Sequence, residues 1–172
     1  MFKIRYKIID NIELESWELK GTDGYLEFQI VDETYGIYMP ENIDVFMVSI
    51  YWWFYYFLKA IIILYETNYC LISDIEKANV WIELKKHGEG LYISKVFAEK
   101  PEGSSALESK IIPNITYKYW KDKKVIFANF KSEVLNKAKR YLKELKSLNN
   151  KEIHKDIQNL ELLIEKVENY RN

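Results

Sequence analysis

The stretch that decides the fold is residues 43–66, IDVFMVSIYWWFYYFLKAIIILYE, the most apolar segment of a 172-residue chain. The run Val45–Leu58 carries no charge, and Lys59 separates it from Ala60–Tyr65. Its length would suit a transmembrane helix, but Lys59 would then lie deep in the bilayer at a cost of about 2.5–3.5 kcal/mol. The aromatic residues also fall near the middle of the run and not at its ends. The pattern therefore favours a central helix packed on a sheet.

A helix that is apolar on every side must be covered on every side. We expect the sheet and the C-terminal helices to enclose it, unless one face meets a partner. Residues that favour a helix start precede the run: Pro40, Asn42 and Asp44. The side chains predicted to be buried are Trp52, Phe54, Phe57, Ile61 and Leu64.

Alternation of apolar and polar residues predicts strands on the N-terminal side of this helix. The predicted strands cover residues 2–8, 12–20, 25–30 and 37–39. The first two would form a hairpin closed around Asp10-Asn11, with a bulge near Glu15-Ser16. Turn residues at Gly21–Gly24 and Asp32–Gly36 would separate the later strands.

On the C-terminal side, the same alternation predicts strands at 80–85 and 91–96, after an apolar segment at 69–73. Two glycines within His87-Gly88-Glu89-Gly90 indicate a hairpin between these strands. Residues 99–114 read as a mobile loop. Ile115–Trp120 and Lys124–Phe127 are predicted to form a final hairpin around residues 121–123.

The spacing of apolar residues predicts helices in the last part of the chain. An apolar stripe from Val134 to Leu145 predicts one helix, and Asn149 and Glu152 have the spacing of a capping box for a second. The second stripe follows the seam of a coiled coil: Ile153, Ile157, Leu160, Ile164 and Val167. The two helices would fold back as an antiparallel hairpin.

These elements predict an α+β fold: a mostly antiparallel sheet packed on a long apolar central helix, with a C-terminal helical hairpin. The length suits one domain of ordinary size. We assign it to residues 1–148, and expect 149–172 to pack on it or on a partner, which leaves a homodimer through the C-terminal helix open.

Few residues suggest catalysis. Cys70 is the single cysteine and lies in an apolar run, so it reads as a packed thiol in a reducing compartment. The two histidines, His87 and His154, lie far apart in the sequence. A zinc site needs three or four ligands, and one cysteine with two scattered histidines is a poor set of them. Nucleophile and phosphate-binding motifs are absent. A catalytic pair of carboxylates, as in glycosidases, stays an open alternative, but no feature of the sequence selects one acidic pair from the others. We predict no catalytic residue, no cofactor and no secretion signal.

Charge is unevenly distributed although the net charge is −1. Residues 1–49 carry ten acids against four bases, and residues 101–172 carry fifteen bases against ten acids. The acidic part could face a basic partner, or the two parts could attract each other within the fold. The acids predicted to contact a partner are Glu13, Glu15, Glu18, Glu27, Asp32 and Glu33.

A second candidate surface interleaves aromatic and basic residues along 117–124. Single-stranded nucleic acid is bound by such residues, through base stacking and phosphate neutralisation. The residues are Tyr117, Tyr119, Trp120, Lys121, Lys123 and Lys124. An ordinary hairpin with a lysine-rich tip also explains these residues and is the favoured interpretation, because the pI near 6.2 is far from the basic value expected of nucleic-acid-binding domains.

Two segments resemble bacterial immunity proteins that neutralise polymorphic or contact-dependent inhibition toxins. They are the strand Trp-Ile-Glu-Leu at 81–84 and the strand-to-helix unit VIFANFKSEVLNKAKRYL at 125–142. The resemblance covers residues 45–145 and implies a cytoplasmic protein that binds a toxin domain and masks its active site. It implies no residue roles. With the acidic N-terminal part, it leads us to expect a basic toxin domain as the partner and no membrane association.

Overall fold

The computed structural model describes residues 1–9, 18–41, 46–149 and 154–170. Within them the chain folds as α+β, with three helices and two antiparallel sheets, as the sequence predicts. The strands are β1 (Phe2–Ile8), β2 (Asp23–Ile30), β3 (Glu33–Ile37), β4 (Val48–Ser49), β5 (Tyr69–Ser73), β6 (Val80–His87), β7 (Gly90–Phe97), β8 (Leu107–Glu108) and β9 (Lys123–Ile126). The helices are α1 (Ile50–Thr67), α2 (Phe127–Leu148) and α3 (Lys155–Asn169).

Sheet 1 contains β1, β2 and β3 in that order, with β4 also paired to β2. The partner of β1 is β2, with Arg5 opposite Glu27. A hairpin between residues 2–8 and 12–20 was expected instead, and of that second strand only residues 18–20 are described. Residues 18–20 form a bend and a turn, so the prediction of a strand is wrong for these three residues. The expected turn at Asp10-Asn11 lies outside the described residues.

The hairpin between β2 and β3 differs from the prediction in register. Its loop is the two residues Val31 and Asp32, since Ile30 pairs with Glu33 and Val31 has a φ of 57°. The predicted turn at Asp32–Gly36 is therefore wrong from Glu33 onward, and the strand predicted at 37–39 instead covers Glu33–Ile37. Gly36 lies inside β3 because its missing Cβ lets the backbone of β2 approach, not because the chain turns there.

The central helix is shorter than predicted but occupies the predicted place. It begins at Ile50, because Val48 and Ser49 pair with β2, and it ends at Asn68 in the left-handed conformation. It packs on β5, β2, α2 and α3, so both sheets and the C-terminal helices bury most of its surface. Among the described residues, no helix combines the length and apolarity needed to cross a membrane.

Sheet 2 has the order β8-β5-β6-β7-β9. The β6–β7 hairpin turns at residues 87–90, as predicted. The expected hairpin between 115–120 and 124–127 is wrong, because β9 pairs with β7 and Thr116 makes only an isolated bridge to Phe97. One face of sheet 2 packs on α1, and residues 98–116 cover part of the other face, where Ile112 packs on Leu71 and Trp81.

The C-terminal helices pack on the domain. In α3 the described part of the predicted seam is buried against α1 and α2: Ile157, Leu160, Ile164 and Val167. The helix begins after His154, whose Nδ1 accepts the Asp156 N–H, and Asn149 caps the end of α2. Residues 150–153, including Glu152 and Ile153, lie outside the described part. In α2, Glu133 accepts the Ile4 N–H at 2.8 Å, which covers the outer edge of β1.

Candidate functional site

A partly exposed row of aromatic side chains lies on α1, and we call Trp52, Tyr55 and Tyr56 the aromatic ridge; Trp52 is exposed and the two tyrosines are half-buried. Their spacing of three and four residues places them on one side of the helix. Trp52 is 43% exposed, although the sequence predicted it to be buried, and its neighbour Trp53 is 3% exposed in its place. The other four side chains predicted to be buried in α1 are buried: Phe54, Phe57, Ile61 and Leu64.

The ridge is held in a fixed arrangement by contacts between its own rings. The ring of Trp52 stacks on that of Tyr56 with centroids 5.6 Å apart, and it meets Tyr55 edge to face at 5.5 Å. The Lys59 ammonium lies 4.6 Å from the centroid of Tyr55. Burial, with a smaller effect of Tyr55, raises the pKa of the Tyr56 hydroxyl. The rings therefore present a preformed surface.

The ridge is also tied to α3. The ring of Tyr51 stacks on that of Tyr55 with centroids 6.0 Å apart. The Tyr51 hydroxyl donates to the backbone carbonyl of Asp156 at 3.1 Å, in the first turn of α3. Because Tyr51 is buried, this bond fixes the base of the ridge between two helices. A rigid aromatic surface loses little conformational entropy when it binds a partner.

The acidic residues predicted to contact a partner are partly paired within the chain. Glu13 and Glu15 lie outside the described residues, and Glu18 lies in a bend. Arg5 binds Glu27 at 2.6 Å, and Lys123 binds Asp32 at 2.7 Å and Glu33 at 3.0 Å. The Lys123 ammonium lowers the pKa of the Asp32 carboxyl. A basic partner would have to compete with Arg5 or Lys123 for these three carboxylates.

The aromatic and basic residues of 117–124 do not form the expected open hairpin. The Tyr117 hydroxyl donates to both oxygens of the buried Glu83 carboxylate at 3.1 Å, and the Trp120 side chain packs against the core. Tyr119 is 57% exposed, but Lys95 lies over its ring at 3.9 Å. The remaining lysines are also engaged: Lys121 over Tyr117, Lys124 over Tyr92, and Lys123 with the two acids above.

The buried carboxylates belong to satisfied networks. Besides Tyr117, Glu83 accepts a hydrogen bond from Tyr69 and lies 3.4 Å from the Lys85 ammonium. The Tyr35 hydroxyl donates to the buried Asp74 carboxylate, whose other oxygen accepts the Glu76 N–H. Sequence reasoning missed both networks, because their members meet only across strands and turns.

The single cysteine, Cys70, is fully buried in β5. Burial, with a smaller effect of Glu108, raises the pKa of the Cys70 thiol to about 12. The side chain is therefore protonated at neutral pH and packed in the core, as the sequence predicted. Among the same residues no three His, Cys, Asp or Glu side chains are grouped to hold a metal ion.

We compared the chain with known protein families, curated proteins and solved structures. No protein-family model, no curated protein and no solved structure matches the chain.

Proposed function

We propose that this chain is an immunity-type inhibitor that binds a cognate toxin domain in the cytoplasm and blocks its active site. The observation that carries the proposal is the aromatic ridge on α1. Tyr and Trp are enriched among the residues that dominate the binding energy of protein interfaces. The resemblance of residues 81–84 and 125–142 to immunity proteins supplies the class of partner.

The ridge suits tight binding for two physical reasons. Large rings that are already stacked bury much apolar area without losing many rotamers. The helix beneath them is held by both sheets and by α3, so its position is fixed before the partner arrives. We propose that Trp52 and Tyr56 enter an apolar depression of the toxin domain, with Lys59 at its rim.

The direct test is co-expression with the toxic domain encoded by a neighbouring reading frame. We expect the chain to restore growth and to form a complex with a Kd in the nanomolar range, about −12 kcal/mol. If co-expression gave no protection and no complex were recovered, the assignment to immunity proteins would be wrong.

Replacement of a ridge residue tests the surface separately from the function. Trp52→Ala should weaken the complex by ~2 kcal/mol or more, because it removes a central aromatic contact. The matched control is Ile111→Ala, which removes a side chain that is 74% exposed in the loop over the opposite face of sheet 2. Calorimetric titration should show weaker binding only for Trp52→Ala. Protection that survives in both variants would keep the function and exclude the ridge.

A further inference from the structure

A groove of about 800 Å³ lies between the β6–β7 hairpin and the first turns of α2. This volume is within the range of small-molecule sites, which are typically ~300–1,000 Å³. Its walls include the rings of Tyr65 and Phe127 and the side chain of Leu135. One face of α2 lines the groove. The lining residues recur at spacings of three and four, as residues on one side of a helix do: Ala128, Lys131, Ser132, Leu135, Asn136 and Lys139.

Two ammonium groups converge on one wall of this groove. The Nζ of Lys86 lies 5.6 Å from the centroid of Tyr65 and 5.4 Å from that of Phe127. The Nζ of Lys131 lies 5.1 Å from the same Tyr65 centroid and donates to two neutral acceptors, the Tyr65 hydroxyl at 3.2 Å and the Tyr170 carbonyl at 2.8 Å. Within the described chain, neither lysine forms an ion pair.

The acids of the groove leave this positive charge uncompensated. Glu168 is bound by Lys139, which also lines the groove. Glu89, in the β6–β7 turn, contributes its backbone carbonyl, which accepts the Phe127 N–H at 2.8 Å. Counting Lys86 and Lys131 against Glu89 leaves a surplus of one positive charge beside aromatic walls.

We propose that this groove binds a small organic anion, an apolar or aromatic body that carries a carboxylate or sulfonate group. The anionic group would lie between Lys86 and Lys131, and the body would pack on Phe127 and Leu135. An anionic group would offset the surplus positive charge of the groove and a neutral body would not, so we expect the site to prefer an anion. The proposal does not depend on the aromatic ridge or on a toxin partner.

The test uses the full chain and anilinonaphthalene sulfonate, an apolar anion whose fluorescence rises in apolar sites. We expect saturable binding of one probe per chain. Phenylbutyrate should displace the probe, and the uncharged phenylbutyramide should not. An acetylated, amidated phenylalanyl-glutamate dipeptide forms a second arm: stronger displacement by the dipeptide would assign the anion to a peptide, and stronger displacement by phenylbutyrate to a free acid.

Three variants locate the site. Lys86→Met with Lys131→Met should weaken probe binding roughly a hundred-fold, because each of the two charge-assisted contacts contributes about an order of magnitude. Ser132→Trp keeps both lysines but fills the groove, and should also abolish binding. Lys118→Met is the control, because Lys118 is exposed and lies over Phe97 at 4.5 Å, away from the groove. Circular dichroism reports folding of each variant. Unsaturable binding, equal displacement by phenylbutyramide, or unchanged affinity in both groove variants would overturn the proposal.

Discussion

At the scale of single residues, Gly36 lies within β3 at a φ of +89°, opposite Glu27 of β2. A Cβ at this position would lie 2.1 Å from the carbonyl oxygen of Leu26, which is far inside van der Waals contact. Glycine therefore serves here both for its backbone conformation and for the close approach of two strands.

Gly36→Ala should consequently destabilise the protein by more than ~2 kcal/mol, since conformational strain and a backbone clash add. The control is Gly103→Ala, at a φ of +74° with no atom within 4 Å of the new Cβ. It should cost only about 1 kcal/mol, for the left-handed conformation alone. Urea unfolding of the two variants measures the difference, and equal losses would show that sheet 1 relaxes around the clash.

The same residues show where sequence patterns mislead. Gly36 is a turn residue by type, so the predicted turn extended over Glu33–Gly36, where the chain forms a strand. Trp52 and Trp53 are adjacent in a run without charged residues, and the run has no polar period that could distinguish the exposed ring from the buried one. The aromatic ridge could therefore not be predicted, although the helix that carries it could.

At the scale of elements, the seam of α3 was predictable because its apolar residues alternate with polar ones at helical spacing. Leu160 is fully buried and Leu162, half a turn away, is 63% exposed. Leu160→Lys places a charge among α1 and α2 side chains, so it should destabilise the fold by roughly 3 kcal/mol or more.

Leu162→Lys is the matched control for this change and should leave the unfolding temperature nearly unchanged. Differential scanning calorimetry of both variants measures the effect. Because α3 packs within its own chain, sedimentation should show the same oligomeric state for the control and the unmodified protein. A stable Leu160→Lys variant would mean that α3 detaches without cost to the domain.

The strands that alternation failed to place share a physical cause. Asn114 and Asp122 both have left-handed backbone conformations, with φ of 58° and 51°. The residues between them alternate well enough to predict a strand, yet their backbone hydrogen bonds to β7 are limited to the Thr116–Phe97 bridge and the Lys95 N–H bound to the Trp120 carbonyl. Backbone conformations at the ends of a segment decide its pairing, and residue type indicates them only weakly.

At the scale of the whole molecule, charge from distant parts of the chain is partly neutralised internally. Lys123 of the basic C-terminal part binds Asp32 and Glu33 of the acidic N-terminal part. The sequence left two interpretations of its charge asymmetry, a partner surface or attraction within the fold, and these contacts favour the second for Asp32 and Glu33. Sequence alone cannot distinguish them, because the choice depends on which strands become neighbours.

Because many of its tyrosines are buried, we expect the stability of the whole fold to depend on pH under alkaline conditions. Burial is the largest cause of a raised hydroxyl pKa at seven of the described tyrosines, and the shift is large at five of them: Tyr6, Tyr35, Tyr51, Tyr69 and Tyr141. Below the ordinary tyrosine pKa of about 10, the folded and unfolded states both keep these protons, so stability does not depend on them. Above it, the unfolded state loses the protons first, and the free energy of unfolding must fall as pH rises.

We therefore expect Tyr6, Tyr35, Tyr51, Tyr69 and Tyr141 to form phenolate only as the protein unfolds. Tyr141→Phe removes a hydroxyl that donates to the Gly21 carbonyl at 2.8 Å. It should lower stability at neutral pH by about 1 kcal/mol and make the alkaline decline shallower, because one fewer proton is released on unfolding. Phenolate absorbance and circular dichroism, followed together through a pH titration, measure both effects. If all tyrosines ionised in one step with the fold intact, the buried hydroxyls would be accessible to solvent, contrary to the packing described above.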